Sequence, residues 1–210
     1  MSHSNLQTLG GLAPPFSIRF EEEGHQYYID DLNVPSVTQV TEQLHDFSGV
    51  DPAVLERAAA RGDLIHKACE LLALGVLDWT TVDESILQEV LAFENWMKQS
   101  GFAPILTESI VGSKRFLFAG RLDLFGTIKS VNYLVDIKSG LSYPPYEIQT
   151  AGLEIALAET MNNERLKVKR ACLYLKPEGT FRFHVHNNIA DRFVFLAALN
   201  VSHYRRRIYP

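Results

Sequence analysis

Apolar and polar positions alternate with two different periods along this chain. Phe16, Ile18 and Phe20 alternate with Ser17 and Arg19, and Gln26–Asp30 repeats the pattern after a Glu23-Gly24-His25 turn, which predicts a small β-hairpin. Asp31 to Val34 reads as a loop. Pro35-Ser36-Val37-Thr38 opens a short helix to about Leu44, with Ser36 as its N-cap. Asp51-Pro52 opens a longer one, since a capping carboxylate precedes proline at the first helical position; it should run to about Leu74 and stop at Gly75. After a linker at Leu77 to Thr81, Asp83 caps a helix from Glu84 to about Ser100. Ile86, Val90, Phe93 and Met97 form its apolar stripe, and Gly101 ends it.

From residue 104 the period becomes two. Strands are predicted at Pro104 to Gly112, at Phe116 through Leu124 with an apolar continuation to Ile128, and at Tyr133 to Lys138. Ser113-Lys114-Arg115 and Lys129 to Asn132 are their turns, and Gly120 marks a bend or bulge. A loop over Leu141 to Pro145 leads to a helix over Tyr146 to Met161. Strands Lys167 to Lys176 and Thr180 to Asn187 then flank Pro177-Glu178-Gly179, and a helix from Ile189 to about Arg206 closes the chain. The fold class is therefore α/β: a central mixed sheet flanked by extra N-terminal helices and the small hairpin. Residues 1–15 are expected to be a flexible lead-in and 16–210 one domain, with a helical part at 36–101, a core at 104–187 and a final helix at 188–207.

Charged residues interrupt this pattern where a strand core does not want them. Asp136 and Lys138 are two apart, so they share one face with Leu134 while Val135 and Ile137 face the other way. Asp123 lies on the preceding strand, on the same face as Arg121. Glu108 sits within an apolar strand and calls for a wet face or a cationic partner. His66 shares a helix face with Gly62 and Glu70; taken alone, a hydrogen-bonded surface histidine would explain it. Gly62 costs that helix about 1 kcal/mol relative to alanine, which a close approach by a neighbour or a phosphate would justify. Carboxylates gathered on such strands can hold a hard cation, and a lysine beside them can orient a water or neutralise developing charge. His184 and His186 alternate with Phe183 and Val185 and read as a solvent-facing strand rather than a metal pair.

The ordered set His66, Glu108, Asp123, Asp136, Lys138 and Gln149 resembles the PD-(D/E)XK nuclease superfamily, in its RecB-like and phage-exonuclease branch. The resemblance runs from about Pro35 to Asn187. It includes the hairpin-PSVT-helix opening, the Arg61-Gly62-x-x-Ile65-His66 context, the Asp…Asp-x-Lys triplet, and Gln149 of a Q-x-x-x-Y motif in which Leu153 replaces the usual tyrosine. It implies an αβββαβ core and a metal-dependent DNA nuclease, an exonuclease of phage or prophage type hydrolysing phosphodiester bonds. His66, Asp123 and Asp136 would hold Mg²⁺ or Mn²⁺, with the Ile137 carbonyl a further ligand. Glu108 would bind a second cation or its water, Lys138 would position the attacking water, and Gln149 would brace the site. Arg61, Lys114, Arg115 and Arg121 are the candidate nucleic-acid contacts, and Tyr143 or Tyr146 the candidate substitutes for the missing tyrosine. Two alternatives remain open: a structure-specific endonuclease of junction-resolvase type, and a non-catalytic nucleic-acid-binding protein.

Composition adds limits. The 210 residues are 46% hydrophobic and 21% charged, as in ordinary globular proteins. No apolar run approaches the roughly 20 residues that span a bilayer, and the first residues do not read as a secretory signal. Cys69 and Cys172 stand far apart, which fits a reducing cytoplasm, bacterial or of a phage-infected host, and excludes the four-cysteine iron–sulfur cluster of some RecB-like nucleases. The net charge of −5 is uneven: 10 Lys/Arg against 22 Asp/Glu over residues 1–160, and 10 against 3 over 161–210. The basic end is a candidate phosphate surface or a solvated face. The expected partners are DNA, single- or double-stranded and with ends, and a recombination or single-strand-binding protein; no membrane is expected.

Overall fold

The computed structural model describes residues 14–45, 49, 51–139 and 145–208. Strands β1 (Ile18–Glu21), β2 (Gln26–Ile29) and β3 (Leu32–Val34) form a small antiparallel sheet. Helices α1 (Val37–Glu42), α2 (Pro52–Ala73) and α3 (Leu87–Ser100) follow. Then come β4 (Ala103–Ser113), β5 (Phe118–Ile128), β6 (Val131–Lys138), α4 (Pro145–Thr160), β7 (Lys169–Leu175), β8 (Phe181–His186) and α5 (Ala190–Ile208). The five-stranded sheet keeps the order β4-β5-β6-β7-β8. Its first three strands are an antiparallel meander, α4 carries the chain across to β7 parallel to β6, and β8 returns antiparallel. This is the mixed α/β architecture with an α-β-β-β-α-β order that the pattern predicts.

Both faces of the large sheet are covered. Leu122, Phe125 and Leu134 pack with Val37 of α1, Leu153 and Leu157 of α4, and Phe195 of α5. Leu124, Val135, Ile137 and Leu173 pack on the other face with Ile65 and Cys69 of α2 and Phe93 and Trp96 of α3. The α2 start follows its signal: the Asp51 carboxylate accepts from the Ala53 amide and Pro52 is the first helical residue. Ser36 and Gln39 form a reciprocal capping box at α1.

Five local expectations are corrected. Leu32–Val34 is a strand, because Asp30 and Asp31 both take positive φ (46° and 64°) and turn the chain tightly enough to pair again with β2. Asp83 does not cap α3. Its carboxylate accepts from the Ser85 amide in a preceding turn, and the helix begins at Leu87. The turn between β5 and β6 is only Lys129-Ser130, both at positive φ, the geometry of a two-residue hairpin. Gly120 is no bulge, since it pairs in regular register with Val111. Its role is packing: a Cβ there would lie 3.0 Å from Val37 Cγ2 and 3.1 Å from Leu153 Cδ2, so glycine lets α1 and α4 close on the sheet. His184 is exposed as expected, but His186 is buried, with Nε2 3.3 Å from Cys172 Sγ. The expected loop at 141–144, with Tyr143, and the lead-in before Pro14 lie outside the described residues.

The basic C-terminal part is largely engaged within the protein. Buried Arg170 of β7 reaches Asp191 of α5 at 2.8 Å and Glu154 of α4 at 3.3 Å, and Glu154 also pairs with Arg192 at 2.7 Å. Arg170 further donates to the carbonyls of Glu147 and Asn188, each at 2.8 Å, so its buried charge is fully bonded. Arg205, Arg206 and Arg207 lie in the last turn of α5, where cations suit the helix dipole.

His186 makes stability depend on pH. Burial, then the neighbouring His184 imidazole and the Arg170 guanidinium, depress its pKa to about 4, against a smaller opposing pull from Asp191; Glu147 and Cys172 are its other polar neighbours. The unfolded imidazole titrates near 6.5, so between that pH and about 4 the unfolded chain binds a proton the folded chain refuses. Stability present above pH 6.5 is thus lost as pH falls. Going from about pH 7 to 5 should cost about 2 kcal/mol through this residue. Urea midpoints at the two pH values should show His186→Gln losing less than the wild type by that amount; equal losses would discount the burial of this imidazole.

Candidate metal centre

The site forms where the sheet departs from regular pairing. Residue pairing between β5 and β6 stops at Leu124–Val135, although β6 stays paired with β7 as far as Lys138, so the next β6 groups that point toward β5 have no ladder partner. The freed Ile137 N–H donates instead to Asp123 Oδ2 at 2.6 Å. On the other side of β5, Thr107 pairs with Leu124 and Ser109 with Leu122, while Glu108, opposite Asp123, takes φ +42°. A left-handed glutamate costs about 1–3 kcal/mol, and such strain gathers at functional sites. It also resets the alternation. Leu122 and Phe125 pack on the same side although three residues apart, as do Leu106 and Val111 five apart. Asp123 therefore turns to the α2 face, whereas Asp136 keeps to the α4 face by ordinary alternation.

That reset brings His66 of α2 to the two carboxylates. His66 Nδ1 lies 3.5 Å from Asp123 Oδ1 and 3.6 Å from Glu108 Oε1. One donor atom from each of the three falls within 4.8 Å of the others. Donors around a cation at about 2.1 Å stand roughly 3–4.2 Å apart, so a small contraction would close this set on a divalent ion. One imidazole with two carboxylates is a donor set that could hold a divalent cation. Burial favours neutral His66, but the Asp123 and Glu108 charges outweigh it and raise its pKa well above the usual imidazole value. Burial likewise raises the Glu108 pKa. At Asp123 burial is overcome by His66, Lys138 and the Ile137 amide, and its pKa is lowered.

Asp136 stands apart from these three. Its side chain is 2% exposed, and its Oδ2 lies 2.8 Å from Lys138 Nζ and accepts from Cys172 Sγ at 3.6 Å. Lys138 in turn donates to Gln149 Oε1 at 3.2 Å, in the first turn of α4, and its Nζ lies 4.4 Å from the centre of the Tyr146 ring. Burial would disfavour the ammonium, but Asp136 and Asp123 more than compensate and raise its pKa. The structure thus joins His66, Glu108 and Asp123 as one group, with Asp136, Lys138 and Gln149 as a second group beside it. Asp136, expected as a direct ligand, lies beside Lys138 rather than within the His66, Glu108 and Asp123 group, although strict alternation would put both aspartates on one face.

A cleft of about 1030 Å³ opens over His66, Glu108 and Asp123 and over Lys138 and Gln149, with Asp136 buried behind them. Its walls include Phe20 and Tyr27 of the small sheet, Gly62 and His66 of α2, Arg121 of β5, and Tyr146 and Gln149 of α4. At Gly62 an added Cβ would meet no described atom within 4 Å, so no protein neighbour explains that glycine; it faces the cleft. Of the four expected nucleic-acid contacts only Arg121 lines it. Arg61 instead bonds buried Glu89 and the Ser85 carbonyl, tying α2 to α3. Lys114 pairs with Asp30 at 2.6 Å, and Arg115 lies 3.8 Å from Glu164. Among the described residues, the cleft lining ends at Leu153 and includes none of the basic C-terminal segment. Tyr146, one of the two suggested aromatic substitutes, does line it. The Ile137 amide was missed by sequence reasoning, since a backbone donor carries no residue signature.

Comparison with known proteins adds distant similarities of fold. No protein-family model matches the sequence, and no curated protein matches it. Among solved structures, the alkaline exonuclease LHK-Exo from Laribacter hongkongensis aligns with 12% identity and TM-score 0.37, over 82% of this chain and 91% of that one. LHK-Exo in complex with dAMP aligns with 13% identity and TM-score 0.38, over 83% and 93%. The structure of SSO0001 aligns with 18% identity and TM-score 0.35, over 70% and 71%. Among the described residues, no helix is long and apolar enough to cross a membrane.

The strain and charge at Glu108 give a test. Adding Mn²⁺ should raise the melting temperature by mass action. Glu108→Asn removes a half-buried carboxylate and suits left-handed backbone. It should stabilise the metal-free protein by about 1 kcal/mol, or roughly 2–4 °C, and abolish most of the Mn²⁺-induced rise. Calorimetry with and without chelator reads both effects.

Proposed function

We propose that this chain is a divalent-metal-dependent nuclease acting on DNA, an exonuclease of the phage or prophage kind. The observation that carries the reading is the convergence of His66, Glu108 and Asp123, from three separate elements, at the floor of a cleft beside a firmly cationic Lys138. Buried carboxylates packed this closely cost stability unless a cation is theirs to hold.

In this reading His66, Glu108 and Asp123 hold Mg²⁺ or Mn²⁺. The cation supplies Lewis acidity toward the scissile phosphate and a more acidic water. The remaining work falls to the chain's own groups. The Ile137 amide fixes Asp123 in the orientation that meets His66. Asp136 and Gln149 hold Lys138 Nζ from two sides, so its charge stands where negative charge grows on the phosphate oxygens. Lys138 orients the attacking water by donating to it. Arg121 neutralises a neighbouring phosphate, and the open backbone at Gly62 lets the strand approach α2. The protein acts as one domain over residues 16–210 in a cytoplasmic setting.

Labelled linear DNA and closed circular DNA, incubated with Mg²⁺, Mn²⁺ or chelator, test this directly. Linear DNA should be degraded from its ends only with metal, while closed circles survive. Cutting of circles would replace the exonuclease by an endonuclease, and binding without cleavage would remove catalysis altogether. Lys138→Ala should retain the metal-induced rise in melting temperature and lose roughly 10²–10³-fold in kcat. Undiminished cleavage by that variant would strip Lys138 of its role.

A further inference from the structure

The wall of the cleft opposite α2 is built from rings. Phe20 and His25 meet edge to face with centroids 4.9 Å apart, and Tyr27 lies 4.8 Å from Phe20. The Arg121 guanidinium carbon stands 4.8 Å from the centre of the Phe20 ring. All four side chains line the cleft. His25 sits exposed at the hairpin tip with φ 51°, after Gly24 at 77°, so a left-handed turn holds its ring there. The small sheet is anchored as a unit: Tyr27, Ile29 and Val34 share a core with Ala119, whose amide donates to the Pro35 carbonyl at 3.1 Å.

This wall adjoins the metal donors. Arg121 is two residues from Asp123, and the Tyr27 hydroxyl, its pKa raised chiefly by burial, also feels Arg121 and Glu108. The charges around the cleft do not make a phosphate track. Besides Glu108 and Asp123, whose charge a bound cation would offset, Glu22, Asp63 and Glu70 face it against Lys67, Arg121 and Lys138. A duplex carries two phosphates per base pair and would find no net positive track along such a cleft. An uncharged base face needs none. Aromatic rings and guanidinium planes are the groups on which unpaired bases stack.

We infer that the β1–β2 wall, through Phe20, His25 and Arg121, is a nucleobase-stacking platform, so that the cleft receives single-stranded DNA or an unpaired end rather than closed duplex. The inference deepens the nuclease reading and rests on its nucleic-acid substrate. The platform takes the base, and Arg121 is the hinge between that base and the phosphate presented to the donor group.

The probe is a DNA oligonucleotide with 2-aminopurine at its end, single-stranded or in a blunt duplex, titrated with the full chain in Ca²⁺. Stacking should quench its fluorescence, and the single strand should bind more tightly than the duplex. His25→Asn keeps the left-handed turn and removes the ring; Phe20→Leu keeps apolar bulk and removes the π face. Each should weaken single-strand binding roughly 10- to 100-fold. His25→Asn, on the exposed tip, should leave the melting temperature and its Mn²⁺-induced rise unchanged. Single-strand affinity and quenching unmoved in both variants, or duplex bound as tightly as single strand, would overturn the platform even if metal-dependent cleavage stands. Quenching lost with the rings, in a protein that cleaves nothing with any metal, would uphold the platform and end the nuclease reading alone.

Discussion

Everything at this site depends on one hydrogen bond made in place of sheet pairing. Where β5 and β6 part after Leu124–Val135, the Ile137 amide would be left unsatisfied, at a cost of about 1–3 kcal/mol. The Asp123 carboxylate accepts that hydrogen bond and is thereby pinned. Pinning Asp123 decides where its second oxygen points, and that oxygen faces His66. The separation of the strands opens the cleft, and the same bond satisfies the backbone that the opening exposes.

A second consequence runs through the register. Glu108 in left-handed backbone shifts the alternation of the β4–β5 pair, so residues that strict period-two counting would place together fall on opposite faces. Asp123 goes with α2 and Asp136 with α4. The sheet is thus crossed by two linked charge groups, one that can hold a cation and one that holds an ammonium. Glu108 and Asp123 answer His66 and Asp136 answers Lys138, which spares the fold from burying several uncompensated carboxylates side by side.

The surrounding layers keep this arrangement rigid. Gly120 lets α1 and α4 press against β5, and Gln149 on α4 then reaches Lys138. Arg170, bonded to Glu154, Asp191 and two carbonyls, locks α4 and α5 to β7. Much of the basic character of the last 50 residues is spent in this way or at the end of α5, not on the cleft, which is why a charge count along the chain was a poor guide to where a polyanion would bind.

The chain's own pattern determined the order of the main elements, the α2 start at Asp51-Pro52, and Glu108, Asp123, Asp136 and Lys138 as charged groups out of place in apolar strands, whereas His66 and Gln149 were reached only through the family resemblance. The former are local signals, carried by periodicity and capping chemistry within a few residues. The third strand of the small sheet, the burial of His186 and the engagement of Arg61 with Glu89 were decided by partners distant in sequence. So was the split between Asp123 and Asp136. A strand's alternation is readable only while its backbone stays regular, and one residue at positive φ reverses it from that point on. No side-chain pattern announces that reversal, since it is set by how β4, β5 and β6 fit together against α2 and α4.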